Sequence, residues 1–535
     1  MVVLARFVLL ATAASLVPSV QAQAPRAPSE RPPEAYALAC GLQQRGLHRE
    51  AAAQFAGFLQ SAPDHALAAE AHYRMGLCHA ELGAAEPALA ALREALRRSD
   101  SASRWLPECR YRLGGLLAAR ADHAGAEQQF SALVAAVAKD HYLAAAAQFA
   151  AGEALRELGQ DAAASAAFAA AAKLAVGEQA GFRFPALYQQ GFAARRSQEP
   201  GVAAQAFGAA AEAAPDAEAR AECLYLRGDS RLQLCLWEAA ARDFEVVLGQ
   251  GGEFAAPAAF GLGFAALGRG DQNAAVAAFT RCLEQPNGGA VLPRARLELG
   301  RALHQLRRHG EAEAVLQPLL AGEVPAELRW SAQELVGLCA LAEGRCEPAR
   351  AALRAAREGA PVAERPRLSF ALGEACSGLA QWDEALAAYQ EVPATAEARL
   401  LGDALYGGCF ALHQLGRFRE SSAWAERLLA LQPPHALAGQ AAFARAENCF
   451  AQQQYAEALA AYAALPGEGA WAAEAAWKAA WCQQLTGAPA AAATAFAALS
   501  ALEGPHQEEA LAMVAVAQFA AGEANAALEA ADRYR

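Results

Sequence analysis

The 535-residue chain reads as an all-α solenoid of helical hairpins. Three observations carry that reading: an alanine returning at a near-constant interval, a glycine between two apolar stripes, and a second glycine inside the first stripe. The alanines are Ala51, Ala88, Ala126, Ala164, Ala203, Ala240, Ala275, Ala312, Ala349, Ala385, Ala458, Ala492 and Ala527, with Ser421 standing in once, at spacings of 34 to 39 residues. A period of that size is one supersecondary unit stacked many times. About fourteen units cover residues 32–535.

The segment from Pro185 to Pro215 shows one unit's logic. Pro185 suits a first helical turn, where its fixed φ fits and its missing N–H costs nothing. Leu187, Gly191 and Ala194 follow at helical spacing on one face. The chain breaks near Gln198–Gly201, and a second apolar stripe runs through Ala203, Phe207 and Ala210 to Pro215. Proline marks the same first-turn position at Pro107, Pro257, Pro293 and Pro366. Turn glycines stand at Gly46, Gly83, Gly159, Gly270, Gly344, Gly416, Gly487 and Gly522, as expected where a helix ends in a left-handed residue.

The mid-helix glycines are Gly76, Gly114, Gly152, Gly191, Gly228, Gly263, Gly300, Gly337 and Gly373. Each costs about 1 kcal/mol against alanine in a helix interior. Close approach of the partner helix, with a residue such as Phe168 or Phe207 beside the glycine, is the expected compensation. Cys409 takes this position in a later unit, and the first and last three units lack the glycine.

Two small residues, a turn glycine, an alanine and a large apolar residue, in this order, resemble the tetratricopeptide repeat (TPR) superfamily. Trp237, Trp382, Phe418 and Tyr455 match its aromatic just after the turn. The resemblance spans nearly the whole chain and implies a right-handed superhelical solenoid of about fourteen helix-turn-helix repeats. It implies a habit of protein binding and no chemistry.

No proline-, glycine- or serine-rich linker interrupts the array. The expected organisation is therefore one continuous solenoid over 32–535, although length alone would suggest several domains. The longest gap lies around Val176–Phe184. Residues 1–22 read as a secretory signal peptide: a charged start, an apolar run over Phe7–Val20 too short to span a membrane, and small residues before Gln23. Residues 23–31 form a proline-rich spacer. Export with cleavage after Ala22 and a periplasmic location are the expectation, with no membrane span. The net charge is −12 with only three lysines, and the arginines are scattered without a basic stripe, so nucleic acid is not an expected partner.

Twelve cysteines in an exported chain raise the question of disulfides. Most occupy positions where the repeat wants a small packed residue, so shielded thiols are expected. Cys339–Cys346 is the pair best suited to bridging. No Walker loop, zinc-protease or hydrolase motif is present, and the chain is read as a non-enzyme without cofactor or metal. His72, Cys78 and His79 come nearest to a ligand cluster, yet the two histidines lie about 10 Å apart along the helix axis.

By the resemblance, the first helix of each unit lines the concave face. One position there reads Tyr36, Tyr73, Tyr111, Phe149, Tyr188, Tyr225, Phe260, Leu297, Glu334, Phe370, Tyr406, Phe443 and Trp477. Four units add a second aromatic four residues on: Tyr188/Phe192, Phe260/Phe264, Tyr406/Phe410 and Trp477/Trp481. With Phe443 and Phe450 these are the candidate partner-binding residues, since aromatic clusters anchor partners. For Trp477 and Trp481 the alternative is packing on the preceding unit near Tyr455 and Tyr462. The expected function is a scaffold of the bacterial envelope that binds peptide or protein segments in its groove. The alternative is a structural spacer or self-assembling rod.

Overall fold

The computed structural model describes residues 33–465 and 471–534. The leader and spacer read at 1–31 lie outside the described residues. Within them the chain forms twenty-eight α-helices and no strand, in the order first helix, tight turn, second helix. It divides into two compact units.

The first unit holds the residues up to Asp271 with Glu284–Gly288. Its helices are Glu34–Gln44, His48–Ser61, Ala68–Glu81, Ala85–Arg98, Leu106–Ala119, His123–Ala136, Ala144–Glu157, Asp161–Leu174, Arg183–Arg196, Pro200–Ala213, Ala217–Gln233, Trp237–Gln250 and Ala255–Gly268. The second unit holds Gln272–Leu283 and the residues from Gly289 on. It continues with Val291–Gln305, His309–Ala321, Ala326–Ala342, Cys346–Gly359, Arg365–Gly378, Trp382–Gln390, Ala398–Gln414, Phe418–Leu429, Ala438–Ala451, Tyr455–Ala463, Ala472–Leu485, Pro489–Ser500, Gln507–Ala520 and Ala524–Tyr534. In each unit every helix packs chiefly on the helices before and after it, so the core is distributed along the chain.

All fourteen described intra-hairpin turns share one geometry. Five residues before each repeat alanine, or before Ser421, the backbone is left-handed, with φ between 55° and 84°. Eight of these residues are the glycines named above. The other six are Ala121, Gln198, Cys235, Arg307, Ala380 and Gln453, which the search for glycine does not reveal. Each turn closes by the same two hydrogen bonds. At Gly159, for example, its N–H donates to Arg156 O at 3.0 Å and the Gln160 N–H donates to Leu155 O at 3.0 Å. That pairing satisfies the last carbonyls of the first helix.

Eight of the mid-helix glycines are explained by one partner each, sixteen residues later. A Cβ on Gly76, Gly114, Gly152, Gly191, Gly228, Gly300, Gly337 or Gly373 would lie 2.5–2.9 Å from Leu92, Phe130, Phe168, Phe207, Phe244, Leu316, Leu353 or Tyr389 respectively. The absent methyl is the space the large side chain fills. Phe244 and Tyr389 also meet glycines of the following helix, Gly261 and Gly407, at 2.6 and 2.5 Å from the same hypothetical atom. In the unit where Cys409 takes the glycine register, the contact shifts by one residue. Trp424 lies over Gly408, while Cys409 is buried with Ser421, its Sγ 3.3 Å from the hydroxyl. The small Ala425 stands where other units carry the large residue, leaving room for the thiol.

The long gap at Val176–Phe184 is a 3-10 helix, Gly177–Phe182, with a task. Its buried Gln179 accepts from the Ala145 N–H at 2.8 Å and donates to His141 O at 2.8 Å. It thereby satisfies the Ala145 N–H in the first turn of a helix of the preceding hairpin. Buried charge is handled by pairing: Asp243, 3% exposed, receives Arg227 at 2.5 and 2.9 Å and Arg231 at 2.6 Å.

Cys339 and Cys346 do not bridge. The Cys339 sulfur faces His304 of the preceding hairpin, and the Cys346 sulfur packs at Gly378 of the following one. Eight of the twelve cysteines are buried and only Cys235 is exposed.

Candidate functional site

The aromatic column of the first helices is built into the packing. Eight of its members contact the ring nineteen residues later, with centroids 5.2–6.3 Å apart: Tyr36–Phe55, Tyr111–Phe130, Phe149–Phe168, Tyr188–Phe207, Tyr225–Phe244, Phe370–Tyr389, Phe443–Tyr462 and Trp477–Phe496. In five of these eight, that second ring is the one lying over a mid-helix glycine. Helix periodicity thus places both partners, and the column serves the hairpin core.

In the first unit, Tyr188 is buried and donates its hydroxyl to Glu222 Oε1 at 2.6 Å in the next hairpin. Burial and that carboxylate push its phenol up, and burial raises the Glu222 carboxyl as well. Phe192 is half-buried, edge-on to Tyr188 at 4.9 Å and to Phe207 at 5.4 Å. Phe260 and Phe264 meet edge-to-face at 4.9 Å, and Phe264 is 37% exposed.

In the second unit, Tyr406 packs at the rim of a large core cluster, while Phe410 is 45% exposed and edge-on to Trp382 at 5.6 Å. Phe443 and Phe450 are half-buried; Phe450 contacts Tyr455 at 5.5 Å and carries the Lys478 ammonium 4.8 Å above its ring. Trp477 is 9% exposed, set between Phe496 at 5.2 Å and the stacked His506 ring at 4.9 Å. Trp481 is half-buried and joins Phe496 at 6.0 Å. The large neighbours of both tryptophans therefore come from their own and the following hairpin, not from Tyr455 and Tyr462 of the preceding one.

The ten candidates do not form one cluster. Phe192, Phe264, Phe410 and Trp481 share the register position just after the mid-helix glycine or its substitute. The same position carries Glu153, Asp229, Glu374 and Glu447 in other repeats. Several of these acids are engaged: Glu374 accepts from Tyr389 at 2.5 Å, Glu447 receives Tyr462 and Lys478, and Asp229 pairs with Arg195 at 2.7 Å. Sequence reading did not single out Phe519 or Leu528 of the last described hairpin, both strongly exposed. Leu528 stands one residue after the repeat alanine, as the buried Leu89 and Leu386 do.

His72, Cys78 and His79 do not converge. Among the described residues, the set of His, Cys or carboxylate atoms close enough to share an ion is His304, His309 and Cys339. A search confined to one helix could not find it, because it draws on three.

No family profile and no curated protein matches the chain. Among solved structures it is similar to a tetratricopeptide repeat protein from Parabacteroides merdae ATCC 43184, at 17% identity over 50% of this chain and 98% of that one, with a TM-score of 0.31. The C-terminal part of a TPR repeat-containing protein from Cytophaga hutchinsonii matches at 16% identity over 49% and 98%, with a TM-score of 0.34. The APC/C hetero-tetramer Cut9–Hcn1 matches at 12% identity over 93% and 91%, with a TM-score of 0.29. The chain's own geometry identifies the architecture: with its repeated left-handed turns and its contacts of glycine with a large apolar side chain at constant spacing, it has the TPR-like all-α solenoid fold.

Proposed function

We propose that the chain is an exported, non-catalytic scaffold of the cell envelope that binds segments of other proteins through exposed aromatics on its first helices. The observation that carries this reading is Phe410. It is nearly half exposed, on a register position that carries an acid in four other repeats, and it leans on Trp382. Phe264 offers a similar ring in the first unit. Rigid aromatics supported from behind are what interface hot spots are made of.

The test is capture from envelope extracts of the native host, using the full chain and its Phe410→Ala and Phe264→Ala variants. Both side chains are exposed enough that melting should change little, while affinity for the captured protein should drop by about 2 kcal/mol or more. A spacer or self-assembling rod would return only the chain itself and show concentration-dependent mass by light scattering. Export is tested by mass spectrometry of the native protein: a mature N-terminus at Gln23 supports it, and an intact Met1 overturns it.

A further inference from the structure

His304 lies near the end of helix Val291–Gln305, His309 opens helix His309–Ala321, and Cys339 lies on helix Ala326–Ala342 of the next hairpin. One donor atom from each comes within 4.8 Å of the other two. His304 Nδ1 is 3.2 Å from the Cys339 sulfur, and the two imidazole rings are 5.0 Å apart. The His309 Nδ1 atom is buried with no hydrogen-bond partner, a condition rare for a buried polar nitrogen. We propose that these three side chains form a binding site for a Zn2+-like cation, with two imidazoles and one thiolate as ligands and a fourth position left for water.

The chemistry of the donor set supports this. Imidazole nitrogen and thiolate sulfur suit zinc, and bond lengths near 2.0–2.3 Å require donor separations of about 3.3–3.8 Å, which small side-chain rotations reach from the present spacing. Glu313 and Glu343 act on Cys339 from nearby, and Arg345, paired with both, leaves a local excess of negative charge. Cys339 is a free, buried thiol. Binding therefore breaks its S–H bond, releases that proton to solvent and forms the S–metal bond. The half-buried histidines leave a route in from solvent.

A second junction in the same unit shows what the arrangement looks like without ligands. His413, Phe418 and Asn448 stand at positions related like those of His304, His309 and Cys339. There the histidine hydrogen-bonds Asn448 Oδ1 at 2.7 Å and lies against the Phe418 ring at 5.2 Å. Histidine at this junction is thus compatible with plain packing, and it is His309 and Cys339 together that turn the eighth hairpin's version into a donor set.

The experiment uses the full chain, reduced and stripped of metal, titrated with Co2+ alone and then with Zn2+. One Co2+ per chain should bind with a near-ultraviolet thiolate-to-cobalt charge-transfer band, Zn2+ should displace it, and Zn2+ should raise the melting temperature. His309→Gln should weaken Zn2+ at least tenfold while the metal-free melting temperature is kept. Cys339→Ser should abolish the charge-transfer band; should that buried substitution prevent folding, His304→Gln with His309→Gln serves instead. Absence of the band, or Zn2+ affinity unchanged in the double histidine variant, overturns the site.

Discussion

At the scale of single residues, the turns offer the cleanest test, because the backbone requirement there is independent of packing. Ala380 holds φ 55° and Ala121 φ 62°, which costs an L-residue roughly 1–2 kcal/mol that glycine escapes. Part of that gain is offset by the larger entropy glycine brings to the unfolded chain. Ala380→Gly should therefore raise stability by about 0.5–1 kcal/mol, and Gly416→Ala, with open space around it, should lower it by about 1 kcal/mol. Urea midpoints of the two variants check both signs.

The buried thiols make a second prediction at this scale. Burial pushes Cys109 and Cys223 up to about 12, above the ordinary thiol value. The folded state then holds the proton more tightly than the unfolded state. As pH rises past the ordinary value, the unfolded thiols ionise first, so stability present at neutral pH is lost progressively toward pH 12. Denaturation midpoints at pH 7 and pH 10 should show the fall, and Cys109→Ala should show a smaller one. A thiol reagent on the native protein should label Cys235 and spare Cys109 and Cys223.

At the scale of the helix pair, a glycine is either a spacer or a weakness, and only the neighbouring helix distinguishes them. Gly191→Ala drives a methyl against Phe207 and should cost about 1–3 kcal/mol as overpacking, with recovery in the Gly191→Ala, Phe207→Leu double variant. Gly115 sits one position past the mid-helix glycine Gly114 but meets nothing within 4 Å, so Gly115→Ala should stabilise by up to about 1 kcal/mol. Melting curves of the three variants separate the cases. The Cys409–Ala425 exchange shows the same compensation within the native sequence, with volume moved from one helix to the other.

At the scale of the whole molecule, contacts that run mainly between successive helices make stability a sum of local terms. Deleting residues 362–397, one period inside the second unit, should leave a folded helical protein with a proportionately smaller denaturant dependence. Circular dichroism and urea unfolding check it, and a chain that fails to fold would show coupling beyond nearest neighbours. The sequence itself carried the all-α class, the fourteen hairpins and the interval between them, because helical periodicity and turn chemistry are local properties of a few consecutive residues. It also carried the pairing of each mid-helix glycine with a large residue in the second helix, because one hairpin closes within a single period. In six of the turns the left-handed residue was hidden, since alanine, glutamine, cysteine and arginine announce no such backbone. The stacking of His506 on Trp477 and the meeting of His304, His309 and Cys339 were decided only by tertiary structure. Each depends on how one hairpin is set against the next, which no spacing within a single helix encodes.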